Sequence, residues 1–306
     1  MQAAGRNSEH KLHRNMKGAV QPLADVKPVG LSSPVRQQIK YAHAPGTTMS
    51  KRALTLALVL LLFSCSASAK DKKTPAASAA ELSAITARGR ELFEYERAVW
   101  RASQALSSLH ISPDASAKYI AQQTGSGWLV VIGSLSQFKD TFDVAYEFVE
   151  TNAADNISVR RLQPPRQDRA FFQFSATAID TAVADFRGEQ RPYNAAPLPA
   201  DSGQFYVYVY PAVTKAGVLP LGGDVRYLMS ADGKTVVEKR QLHKTILDTT
   251  TAGPGRTVGG FHTHVLTDLP EDTDVVHAML RGMPEYIGSL GHTYQVAPDG
   301  KITVTK

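Results

Sequence analysis

The segment GGFHTHVLTDLPEDTDVVHAML, Gly259 to Leu280, places two histidines one residue apart and then four carboxylates within seven positions. Phe261, Thr263 and Val265 alternate with His262 and His264, which predicts a strand, because side chains at i and i+2 leave on the same face. Pro270 followed by Glu271, Asp272 and Asp274 predicts a helix start. Proline suits the first turn, carboxylates complement the amide end of the helix dipole, and Thr267 or Asp268 can cap it. The helix is expected from about Glu271 to Arg281.

The pattern continues on both sides. Downstream, EYIGSLGHTYQVAPDGKITVTK (285–306) reads as two or three strands with a turn at Pro298-Asp299-Gly300. Upstream, QFYVYVYPA (204–212) is an aromatic, β-branched strand. DVRYLMSADGKTVVEKRQLHKTIL (224–247) reads as a hairpin turning at Ala231-Asp232-Gly233, and a Gly/Pro/Thr loop spans 249–257. EQRPYNAAPLPADSG (189–203), with three prolines, reads as a boundary. Before it, 81–109 carries Leu82, Ile85, Leu92, Phe93, Tyr95, Val99 and Trp100 at mostly helical spacing. GWLVVIGSL (127–135) and FDVAYEFVE (142–150) are β-rich, and 174–186 returns to a helical pattern. RRLQPPRQDR (160–169) reads as a solvated, proline-broken connection. The expected fold is therefore α+β or mixed α/β, a mainly antiparallel sheet with flanking helices. An N-terminal α+β region at 81–188 precedes a C-terminal α/β domain at 204–306.

Charge places the protein among other classes. Residues 1–69 hold nine of the 34 basic residues and two of the 28 acidic ones, leaving 25 against 26 in 70–306. A nucleic-acid footprint is not supported. MSKRALTLALVLLLFSCSASAKDKK, from Met49, has the basic start, apolar run and small-residue end of a bacterial export signal (49–69). We expect translation to start at Met49, residues 1–48 being an over-long gene start or a disordered extension, and 70–80 to be a polar linker. Two processing sites compete: Ala67-Ser68-Ala69, and Leu62-Phe63-Ser64-Cys65, which resembles a lipobox. Cys65 is the only cysteine, so no intramolecular disulfide can form. Either site expects a protein of the periplasm or one anchored in the cell envelope through a lipid on Cys65, with an unknown envelope peptide or protein as partner.

On one strand His262 and His264 can present two imidazoles to one metal ion, and a third ligand is expected from the following helix, either Asp274 or His277. His262-x-His264, a Leu269-Pro270 step and Asp274 opening a helix together resemble the JAMM (MPN-type) metalloprotease motif over about thirteen residues. The resemblance implies an α/β sandwich in which His262, His264 and Asp274 hold zinc. It also implies an upstream glutamate that takes a proton from zinc-activated water attacking an amide carbonyl. Between Pro192 and Phe261 the only glutamate is Glu238, so the base role falls to it. The sequence departs from the family pattern in having Val265 where a proline follows the second histidine and Glu271 where the family has a serine.

Two readings stand. In one the chain is a JAMM-like zinc peptidase or amidase. In the other it is a non-catalytic envelope binding or assembly protein whose His/Asp segment is structural or vestigial. His243 and His292 can join a polar cluster near the site. Glu147 and Glu150 read as solvent-facing strand residues. No serine has a nucleophile-elbow context, and GPGRTVGG (253–260) lacks the ending of a phosphate loop.

Overall fold

The computed structural model describes residues 76–151, 157–250, 258–289 and 291–305. The expected export signal, Cys65, the extension before Met49, most of the linker and most of the Gly/Pro/Thr loop lie outside them.

Helix α1 (Ala79–Ser108) begins at a capping box: the Glu81 amide donates to Ser78 Oγ at 3.2 Å and the Ser78 amide to Glu81 Oε2 at 2.8 Å. Four antiparallel strands follow in spatial order β1 (Lys118–Thr124), β2 (Gly127–Leu135), β3 (Phe142–Thr151) and β4 (Ile157–Asp168). Asp168 Oδ1 then accepts the free amides of Ala170, Phe172 and Gln173, which starts α2 (Phe171–Asp185). A second antiparallel sheet takes the order β5 (Tyr193–Pro199), β6 (Phe205–Pro211), β8 (Val225–Met229) and β9 (Val236–Gln241). The ribbon of β7 (Val218–Gly222) and β10 (Ile246–Thr250) stands apart from it.

The two helices cover opposite faces, as strand alternation requires. Val130, Ile132, Phe148 and Tyr208 pack with Leu92, Tyr95, Val99 and Leu106 of α1. Val131 and Val144 turn the other way onto Phe172, Ala176 and Ile179 of α2, while Val207 and Val209 meet Ala178 and Ala182. The α1 core thus draws residues from both the first and the second sheet.

The last sheet has the order β11 (Gly260–Thr263), β12 (Glu285–Ser289), β13 (His292–Val296) and β14 (Ile302–Val304). β11 and β12 are parallel, with α3 (Asp272–Arg281) as their crossover; the other pairs are antiparallel. Val275 and Ala278 of α3 pack on Ile287, Tyr294, Val296 and Ile302, and on Leu82 and Ile85 of α1. Gly89 lets the helices approach: a Cβ there would lie 2.4 Å from Val275 Cβ and 2.6 Å from the Asp272 carbonyl oxygen. No helix among the described residues is long and apolar enough to cross a membrane.

The fold is mixed α+β with mainly antiparallel sheets and flanking helices, as its class was read. Two local readings are corrected. RRLQPPRQDR lies largely in β4, and the proline-rich 189–203 contains β5, paired along its length with β6. Both are edge strands, where a proline can direct its missing N–H away from the ladder.

Candidate metal centre

The turn that starts α3 sends each of its carboxylates to a different element. The Asp272 carboxylate is fully buried. It accepts from Arg226 Nη1 at 2.6 Å, from Tyr208 Oη at 2.8 Å and from Arg88 Nε of α1 at 3.1 Å. Glu271 is paired with Arg240 at 2.7 Å. Burial is the largest influence on Glu271 and, with Asp274 and Asp272 adding to it against Arg240, raises its pKa to about 7. These contacts fix where Asp274 points.

Asp274 Oδ2 accepts the Glu271 amide at 2.7 Å, which turns Oδ1 toward the imidazoles of His243 and His262. His262 Nε2 lies 3.1 Å and His243 Nε2 3.2 Å from Oδ1, and His264 Nε2 lies 3.3 Å from Oδ2. The imidazoles also meet each other: Nε2 of His264 is 3.0 Å from that of His243 and 3.2 Å from that of His262. All four donors lie within 4.8 Å of one another and are enclosed by protein. This group is compatible with a metal site. Bonds of ~2.0–2.1 Å from a zinc ion to tetrahedral donors set the donors roughly 3.3 Å apart, close to these spacings.

Proton placement gives a second argument. His264 Nδ1 lies 2.7 Å from the Leu269 carbonyl oxygen, which can only accept, so Nδ1 carries the hydrogen. His243 Nδ1 lies 2.8 Å from the buried Asp224 carboxylate, which also takes its backbone amide at 3.1 Å. With both Nδ1 atoms donating, two neutral rings would face each other through Nε2 lone pairs at 3.0 Å. Only a proton or a cation between them makes that contact favourable. Buried Asp274 Oδ1 completes the picture, since it makes no hydrogen bond to either neighbouring imidazole.

The electrostatics agree. Burial alone would lower the His243 pKa, but the Asp224 and Asp274 carboxylates outweigh it and hold it well above the ordinary value. Burial would raise Asp274, yet the charge of His243 and the close approach of the imidazoles hold it well below the carboxylate range. The site thus favours positive charge among its donors, and a divalent cation supplies what the proton otherwise does. Three imidazole nitrogens and one carboxylate oxygen, with no thiolate, suit zinc, copper, nickel or iron better than calcium or magnesium.

Of the residues singled out in the sequence, His262, His264 and Asp274 come together here. His277 does not: its ring faces Glu285 at 3.1 Å and Thr249 at 3.1 Å. Glu238 does not approach either. It is exposed on β9, and the strand carries it roughly 10 Å from Gln241, away from His243. Glu238 is not among the clustered donors. His292 starts β13 beside Tyr294 and is not among the donors. His243, read only as able to join a polar cluster, is a donor with the same standing as the His-x-His pair. Its signal was the pairing with Asp224 across the β8–β9 hairpin, which no local spacing exposes.

No protein-family model, no curated protein and no solved structure matches this chain.

Proposed function

We propose that this chain is a zinc-binding protein of the cell envelope in which His243, His262, His264 and Asp274 form a complete, buried ligand shell. In this reading the shell fastens the β8–β9 hairpin, β11 and α3 together, and the protein serves in envelope binding or assembly. The observation that carries it is the 3.0 Å approach of His243 Nε2 and His264 Nε2 while both Nδ1 atoms are engaged elsewhere. Four protein donors are the mark of structural zinc, whereas hydrolytic zinc keeps three and leaves a position for water. The exposed position of Glu238 favours the same side. Localisation rests on the leader sequence from Met49.

A second reading is favoured by the Asp224–His243 pair. A carboxylate-oriented imidazole next to His262, His264 and Asp274 has the make-up of a general base beside a three-donor zinc site, as a JAMM-like peptidase or amidase needs. There zinc would supply Lewis acidity, and His243 Nε2 would accept the proton from water while Asp224 holds the ring in its tautomer.

His243→Ala separates the two. A four-donor shell predicts zinc affinity weakened at least tenfold to a hundredfold in chelator competition, and no amide hydrolysis by the parent. A three-donor hydrolase predicts near-parental zinc content with hydrolysis of a peptide library lost.

A further inference from the structure

β11 is the outer strand of its sheet. The Gly260 amide donates to the Pro284 carbonyl oxygen at 2.9 Å and the His264 amide to that of Gly288 at 2.9 Å. In a parallel ladder alternate residues bond to the same neighbour, so Phe261 and Thr263 direct their N–H and C=O groups outward. Among the described residues no strand pairs with that edge.

The side chains there are as unusual as the backbone. His262 turns inward to the metal centre, so Phe261 lies on the opposite face, 68% exposed, beside Tyr286 of β12. Val258 and Val265 at either end are each 74% exposed, and Leu266 is exposed as well. From Val258 to Thr267 the chain holds no Asp, Glu, Lys or Arg.

The other outer strands carry the features that discourage edge pairing, namely charges and prolines. β4 has Arg160, Arg161, Pro164 and Pro165; β5 has Pro197 and Pro199; β9 has Glu238, Lys239 and Arg240. β1 has Lys118, the ribbon has Pro220 and Asp248, and Lys301 precedes β14. β11 has none of them and adds apolar side chains.

We infer that the β11 edge is a self-association surface, on which a second copy of this chain pairs its own β11 antiparallel about a two-fold axis. A two-fold contact sets a surface against itself, so any charge on the axis would meet its like; a charge-free, apolar strand is the surface that tolerates this. The outward groups fix the register. Phe261 of one copy exchanges both hydrogen bonds with Thr263 of the other, and the two Phe261 rings become diagonal neighbours on the open face. The pairing joins two four-stranded sheets into one and sets two His262 residues opposite each other, with the two metal centres on the same side of that sheet.

Sedimentation equilibrium of the full chain tests this. The expected result is the mass of two chains at micromolar concentration for the parent and for Phe138→Lys, a control at an 84% exposed phenylalanine in the turn between β2 and β3. Phe261→Lys is expected at the mass of one chain, with unchanged circular dichroism. Amide hydrogen exchange provides a readout that does not depend on a variant folding: the Phe261 and Thr263 amides should become protected as concentration rises. A parent that stays a single chain at tens of micromolar overturns the inference, which would leave the edge to an extended segment of another protein. A dimer in which those two amides exchange at the same rate at every concentration also overturns it.

Discussion

Asp274 joins two networks, accepting a backbone amide on one carboxylate oxygen and facing imidazoles with the other. Its neighbours in the site are held in turn: Asp224 orients His243 and the Leu269 carbonyl orients His264. Such outer partners typically tune metal affinity by ten- to a hundredfold. Asp224→Asn should therefore weaken zinc binding by that factor in chelator competition while leaving the fold intact. An unchanged affinity would mean that His243 does not ligate. A second residue-scale prediction concerns Glu147, buried in β3 and paired with Arg160 and Arg166 of β4. Burial pushes its carboxyl up, but the two guanidiniums outweigh burial and lower its pKa below the ordinary value. A depressed carboxylate contributes stability above its unfolded pKa and loses it as pH falls through the folded one. Urea denaturation should show the parent more stable than Glu147→Gln at neutral pH, with the two converging as pH drops below about 4. A constant gap across that window would contradict the pairing.

At the scale of elements, the centre depends on how closely α1 and α3 pack. Gly89 costs roughly 1 kcal/mol of helix propensity relative to alanine, yet a methyl group there would overlap Val275 and the Asp272 carbonyl. Gly89→Ala should destabilise by about 1–3 kcal/mol as an overpacked contact, and it should weaken zinc binding because α3 carries Asp274. A melting temperature at or above that of the parent would show that the helices can separate freely. The same scale explains what could be read in the chain. Periodicity revealed α1 and α2, Pro270 with the carboxylates after it revealed α3, and the turn at Ala231-Asp232-Gly233 revealed the β8–β9 hairpin, because in each case the signal is local. β4 and β5 resembled connections because arginine and proline argue against a central strand. At a sheet edge the same residues are permitted, and edge position is set by partners far along the chain. The His-x-His pair and Asp274 were visible because one strand, one loop and one helix carry them. His243 was harder to assign, since it reaches the site from another sheet. Glu238 was chosen as the only available glutamate, a criterion that contains no geometry.

At the scale of the molecule, the candidate shell links three parts of the C-terminal half, and Arg88 ties the α3 start to α1. A cation that binds only the folded chain adds stability as its concentration rises above Kd, about 4 kcal/mol at a thousandfold excess. Zinc should therefore raise the melting temperature of the parent and leave that of His262→Ala/His264→Ala where it was. The stabilisation should fade at acid pH, where protons compete for the imidazoles. The measurement that bears most directly on the whole account is elemental mass spectrometry of the full chain purified without a histidine tag, beside that double variant. The account predicts close to one zinc per parent chain and none in the variant. A parent that holds no metal after incubation with zinc and dialysis would contradict it.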